Sequence, residues 1–137
     1  MDKSVIIYSD GGARGNPGPA AAGVVIYASE DKKAIETISE YLGELTNNQA
    51  EYRAVGLGLA KARELGAQTA VCYLDSELVV KQLTLKYKVK NHQLGPYFVK
   101  VWNLVQQFKK VEFKHISREQ NKVADRLVNE ALDKKLK

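Results

Sequence analysis

Four carboxylates stand in settings that could do chemistry: Asp10, Glu51, Asp75 and Asp125. Asp10 closes a segment that begins with the apolar run Val5-Ile6-Ile7-Tyr8. It opens the glycine-rich stretch Asp10-Gly11-Gly12-Ala13-Arg14-Gly15-Asn16-Pro17-Gly18-Pro19. Asp75 follows the run Ala70-Val71-Cys72-Tyr73-Leu74 and precedes Ser76. Glu51 follows Thr46-Asn47-Asn48-Gln49-Ala50, and Asp125 follows Asn121-Lys122-Val123-Ala124. A carboxylate at the end of a buried strand is costly unless a cation or a hydrogen-bond donor meets it. Two such strand ends, with two further acids near helix starts, imply one convergent anionic site. Oxygen-preferring divalent cations occupy sites of that kind. Each acid alone also has a plain reading as a surface residue or a helix cap.

The positioning elements can be read from periodicity. Val5–Tyr8 reads as a strand buried on both faces. Gly11–Ala20 reads as a turn, from its glycines and prolines. Ala22–Ala28 reads as a second strand returning antiparallel, and the more polar Ile35–Leu42 as an edge strand. Thr46 and Gln49 have capping-box spacing and open a helix to about Leu65, with Gly66 as its C-cap. Glu51 then falls within about two turns of that helix start, and its spacing to Ala54, Leu57 and Ala60 leaves its direction open. Ala70–Leu74 reads as a fourth strand, parallel to the first because a helical crossover precedes it. A helix is expected over Glu77–Leu83, with Leu78, Val79 and Leu83 on one face, and another over Gly95–Phe108 with Trp102 in the core. Val111–Ile116 reads as the fifth strand. Ser117 and Gln120 again have capping-box spacing, before a last helix to about Lys134, with Lys134–Lys137 frayed.

The composition fits these elements. A chain of 137 residues with 45% hydrophobic residues can bury one ordinary core, so residues 1–137 are expected to form a single domain. Met1-Asp2-Lys3-Ser4 leads straight into the first strand without a signal-peptide pattern, and no apolar run approaches the ~20 residues of a membrane span. The one cysteine, Cys72, reads as a small core residue of a cytoplasmic protein. A net charge of +5 around an acidic site suits a polyanionic partner.

Taken in order, the segments resemble ribonuclease H type 1, in its compact archaeal or bacterial form. The matching stretches are Ser9-Asp10-Gly11-Gly12 with Gly15-Asn16-Pro17-Gly18-Pro19, Thr46-Asn47-Asn48-Gln49-Ala50-Glu51, Leu74-Asp75-Ser76 and Asn121-Lys122-Val123-Ala124-Asp125. The resemblance runs from about Val5 to Leu132. It implies an α/β ribonuclease H-like fold, a five-stranded mixed sheet in the order βββαβαβα. In that fold the first and fourth strands are neighbours, which would set Asp10 beside Asp75. It implies hydrolysis of the RNA strand of RNA–DNA hybrids to 5′-phosphate and 3′-hydroxyl ends, with two divalent ions about 4 Å apart. Those ions would be Mg²⁺, or alternatively Mn²⁺, with Asp10 bridging both, Glu51 and Asp75 completing one site and Asp125 the other. A metal-free cluster of this kind should raise at least one carboxyl pKa.

The resemblance also assigns substrate contacts. Gly11, Gly12 and Gly15 would allow close approach to the duplex, and serve a tight hairpin turn as well. Asn16, Asn47, Asn48 and Gln49 would read 2′-hydroxyls in the minor groove, and Thr46 would hold a phosphate of the DNA strand as well as cap its helix. Lys81, Lys86, Lys88 and Lys90 would guide the duplex backbone, or form a merely solvated run. Many bacterial relatives carry a loop histidine before the last helix. Here either Arg118, which is favoured, or His115 stands nearest that place. An arginine there can contact phosphate but cannot act as a base. The expected partner is an RNA–DNA hybrid, with no membrane and no obligatory protein partner, the chain acting as a monomer. The alternatives are an enzyme that also cuts double-stranded RNA and a non-catalytic hybrid-binding module. A DNA transposase or integrase core fits less well, because Gly15–Gly18 and Thr46–Asn48 belong to the ribonuclease branch.

Overall fold

The computed structural model describes residues 3–30 and 33–137; Met1 and Asp2, where the chain start was read for a leader, and Asp31 and Lys32 lie outside them. Five strands form one sheet: β1 (Ser4–Ala13), β2 (Gly18–Ala28), β3 (Ala34–Leu45), β4 (Thr69–Leu74) and β5 (Lys110–His115). Their order is β3-β2-β1-β4-β5. The β1–β2 and β2–β3 pairs are antiparallel, while β4 runs parallel to β1 and β5 parallel to β4. The helices are α1 (Asn47–Glu64), α2 (Glu77–Leu83), α3 (Gly95–Val105) and α4 (Lys122–Lys135), the last entered through a 3₁₀ turn at Arg118–Asn121. The expected five-stranded mixed sheet is therefore present, and the crossover between β4 and β5 carries the two expected helices, α2 and α3.

Local signals account for most boundaries. Thr46 caps α1 through its hydroxyl, which accepts from the Gln49 N–H, and Gln49 Oε1 accepts from the Thr46 N–H. At the other end Gly66 has φ 89°, and the N–H groups of Gly66 and Ala67 bond back to Arg63 and Ala62. Ser76 caps α2 by accepting from the Val79 N–H. The Ser117–Gln120 box closes the 3₁₀ turn, so the α-helix proper begins only at Lys122.

Several expectations need correction. Gly11–Ala13 is strand, not turn: these residues pair with Ala20–Ala22, and cross-strand hydrogen bonding outweighs the low strand preference of glycine. β1 is not buried on both faces. Val5 and Ile7 face the core, whereas Ile6 and Tyr8 are half-buried on the other face, where Tyr8 stacks on Tyr73 at 5.0 Å and meets Tyr27 edge-on. In α2 the buried set is Val79, Val80, Gln82 and Leu83, and Leu78 points outward. The α3 helix stops at Val105, although Phe108 is buried just beyond it. Trp102 is half-buried outside the main core and stacks on Phe98 at 5.7 Å. Lys134 is helical, since α4 reaches Lys135.

The main core lies between the sheet and α1–α3, around Val5, Ile7, Val24, Ile26, Val55, Leu59, Leu74 and Val101. A smaller cluster of Ala21, Val128, Ala131 and Leu132 seats α4 on the opposite face. Two glycines let helices come close to the strands. A Cβ at Gly11 would collide with the Ala50 carbonyl of α1, and one at Gly23 with the Ala124 carbonyl of α4. Gly23 pairs with Asp10, so both helices approach β1 where its carboxylate stands.

Candidate functional site

Sheet register delivers the first two acids. β1 and β4 run in parallel as far as Tyr8 and Tyr73, so Asp10 and Asp75 leave the sheet at adjacent strand ends. Helix α1 delivers the third. Glu51 shares its buried face with Ala54, Val55, Gly58 and Leu59, the i, i+3, i+4, i+7, i+8 pattern that points at the sheet. Glu51 Oε1 accepts a 2.7 Å hydrogen bond from the Gly11 N–H. Carboxylate oxygens of Asp10, Glu51 and Asp75 come within 4.8 Å of one another. Asp125, in the first turn of α4, is not in that tight trio but lines the same cavity of about 350 Å³ and lies close enough to Asp10 to perturb it.

The electrostatics are those of a cluster short of positive charge. Burial first, and then the Asp75 and Asp125 charges, push the Asp10 carboxyl up to about 6, against a Glu51 hydrogen bond that pulls it down. Burial, the hydrogen bond to Asp10 and the Asp10 charge hold Glu51 well above the usual carboxylate range, with Gly11 opposing. Glu51 Oε2 is buried and, as a carboxylate oxygen, has no hydrogen-bond partner among the described residues. A proton shared with Asp10 or a cation would satisfy it. Orphaned buried oxygen and an all-oxygen donor set fit a hard divalent ion. Asn121 braces the cluster: its Nδ2 donates to the Ser9 carbonyl at 2.8 Å and to Asp75 Oδ2 at 3.2 Å.

The remaining expected residues divide between two cavities. Gly11, Gly12, Asn47, Asn48 and Arg118 line the acid cavity, together with Arg14 and Asn129, which sequence reasoning did not single out. Asn16, Thr46 and Asn48 line a second, polar cavity of about 210 Å³, closed by Asn91, Gln93 and Leu94 from the loop before α3. Side-chain amides hold that region together. Asn16 Oδ1 accepts from the Asn47 N–H at 3.0 Å, and Asn47 Oδ1 accepts from the Ala13 N–H at 2.8 Å. Gln49 is engaged in the capping box, while the Asn48 side chain has no partner among the described residues. Gly11 makes its close approach to α1. Of the two loop candidates, Arg118 borders the acids, whereas His115 is exposed at the end of β5 and lines neither cavity. Lys86 and Lys88 are exposed between α2 and α3 and line neither cavity. Cys72 is buried in β4, where burial pushes its thiol up to about 12.

The chain matches the reverse transcriptase-like family over residues 8–131. It is 40% identical to a bifunctional protein of Mycobacterium tuberculosis over 94% of this chain and 35% of that protein. It is likewise 40% identical to ribonuclease HI of Halobacterium salinarum, over 92% of this chain and 63% of that one. The chain thus spans about a third of the mycobacterial protein's length and under two thirds of the haloarchaeal one. Among solved structures, a ribonuclease H1 isolated from compost superimposes with a TM-score of 0.91 at 44% identity, covering 100% of both chains. That protein in complex with an RNA/DNA hybrid matches with a TM-score of 0.91 at 43% identity, over 97% of this chain and 99% of the other. Sequence, sheet order and carboxylate cluster agree, and the chain belongs to the ribonuclease H type 1 family of enzymes.

Proposed function

We propose that the chain is an endonuclease that hydrolyses the RNA strand of RNA–DNA hybrids, leaving 5′-phosphate and 3′-hydroxyl ends. One observation carries this reading: three carboxylates within 4.8 Å, one oxygen of them buried without a partner, open onto the same cavity as Asn47 and Asn48. A protein that only bound the hybrid would gain nothing from like charges facing a phosphate. The complex of the compost ribonuclease H1 with an RNA/DNA hybrid supports the choice of substrate.

In this reading Asp10, Glu51, Asp75 and Asp125 would hold two divalent cations, Mg²⁺ or Mn²⁺. Such ions would supply an activated water and stabilise the leaving oxygen of an in-line displacement. The protein's own residues do the rest. Gly11 fixes Glu51 through its N–H, and Asn121 fixes Asp75, so the carboxylates are in place before an ion arrives. Asn48, whose side chain has no partner among the described residues, pairs with a ribose 2′-hydroxyl, assisted by Asn16, Asn47 and Gln49. Thr46 meets a DNA-strand phosphate in the polar cavity, and Gly12 lines the acid cavity that the duplex would enter. Arg118 contacts a phosphate at the acid cavity, and Lys86 and Lys88 supply longer-range attraction. Residues 1–137 act as one domain and as a monomer.

The test offers one end-labelled sequence as RNA–DNA hybrid, RNA duplex, DNA duplex and single-stranded RNA, with Mg²⁺, with Mn²⁺ and with chelator. Metal-dependent cutting of the RNA strand in the hybrid supports the proposal. Cutting of RNA duplex as well would widen the substrate class. Binding without cutting of any substrate would overturn it.

A further inference from the structure

The acid cavity has two cationic side chains among its lining residues, Arg118 and Arg14. Arg14 sits at the tip of the β1–β2 hairpin, four residues beyond Asp10, and reaches across to α4. Its Nη2 donates to Asp133 Oδ1 at 2.6 Å and to Asn129 Oδ1 at 3.3 Å. Asn129 in turn donates through Nδ2 to the carbonyl of Asp125, one helical turn earlier. The guanidinium is therefore parked beside the helix that carries the fourth acid, on the rim of the cavity that must admit a phosphodiester.

The parking contact is weak. The Arg14 and Asp133 side chains are 41% and 65% exposed, and an ion pair this open to water adds little to stability. A backbone phosphodiester presents the same paired-oxygen, singly charged target to the guanidinium fork as a carboxylate does. The exchange therefore costs little and gains a contact where the surrounding wall is acidic.

Resting on the function proposed above, we infer that Arg14 is a phosphate-binding residue for the cleaved strand. It leaves Asp133 and Asn129 for a backbone phosphate when substrate enters. Asp133 is then a competitor that holds the guanidinium in the free protein, and Asn129 links that exchange to the turn of α4 that bears Asp125.

Arg14→Ala, Arg14→Lys and Asp133→Asn in the full chain test this, by steady-state cleavage of the hybrid across a salt series and by thermal unfolding. Arg14→Ala is expected to raise KM about tenfold, with a much smaller fall in kcat. It should reduce the steepness of log binding against log salt by about one. Arg14→Lys should recover the salt slope but only part of KM, because ammonium keeps the charge and loses the fork. Asp133→Asn should lower KM, because the competitor is gone. Equal increases in KM for Arg14→Ala and Asp133→Asn, with equal losses of thermal stability, would make the pair a structural clamp and overturn the inference. So would an Arg14→Ala enzyme with wild-type KM and salt slope. A wild-type chain that cuts no hybrid would instead overturn the function on which the inference rests.

Discussion

The acid cavity and the polar cavity meet at Asn48 and are built on opposite principles. Around the polar cavity the amides of Asn16, which lines it, and of neighbouring Asn47 already hold backbone N–H groups, and Gln49 is locked into a helix cap. That region is neutral and, Asn48 apart, its amides are engaged before any ligand arrives. In the acid cavity three carboxylates converge with Asp125 on the same wall, Asp10 and Glu51 are both pushed toward protonation, and Glu51 Oε2 has no partner as a carboxylate oxygen among the described residues. One region is preorganised by hydrogen bonds. The other is held in strained electrostatics by its neighbours and lacks the charge that would relieve it. The contrast matches the proposed division between recognition, which needs fixed geometry, and chemistry, which would need a cation brought in.

The largest effect should come from removing one charge of the strained cluster. Asp10→Asn is expected to reduce cleavage by on the order of 10³-fold or more while retaining hybrid binding. Its metal-free form should unfold at a higher temperature than the wild type, because a buried like charge is gone. Substantial Mg²⁺-dependent cutting by this variant would remove Asp10 from the site.

The next effect is on stability against pH. Asp10 moves from 3.8 to about 6, and Glu51 also rises, so the folded state holds protons that the unfolded chain releases. A raised carboxyl contributes stability that is fully present below its unfolded pKa and lost as pH rises through its folded one. Without metal, the protein should therefore lose on the order of 2 kcal/mol between about pH 4 and somewhat above pH 6. Mg²⁺ or Mn²⁺ should flatten that decline. A metal-free protein whose unfolding midpoint is level across this range would show that the acids do not repel one another.

The two neighbouring asparagines sharpen the comparison further. Asn48→Ala should lower hybrid cleavage by about tenfold with little change in melting temperature, since its side chain has no partner to lose among the described residues. Asn47→Ala removes the acceptor for the Ala13 N–H and should cost about 1 kcal/mol of stability. A reversed pattern would make Asn48 the structural residue. The smallest effects belong to Lys86→Ala and Lys88→Ala. Each should weaken binding about twofold, uniformly across sequences, and lessen its salt dependence.

What could be read from the sequence follows the range of the forces involved. Thr46 and Gln49 form their box within four residues, so the start of α1 was legible. Asp10 and Asp75 were legible because strand ends are marked by where apolar runs stop, and the parallel β1–β4 pairing set them side by side. The strand through Gly11–Ala13 was not, because glycines read as a turn until β2 is there to pair with them. The direction of Glu51 stayed open in the sequence, since only its packing with Gly58 and Leu59 against the sheet fixes it. Trp102 has helical spacing, yet the exposed side of α3 cannot be told from spacing alone, and the ring stacks on Phe98 outside the core. Arg14 and Asn129 carry no local signature, because their contact spans the β1–β2 tip and the last helix.

The central claim, that these carboxylates form a cation site, is tested most directly by following free Mn²⁺ by electron paramagnetic resonance as protein is added at neutral pH. The account predicts that the wild-type chain depletes the free-ion signal, that Mg²⁺ in excess restores it, and that Asp10→Asn leaves it nearly unchanged. Equal uptake by wild type and Asp10→Asn would contradict it.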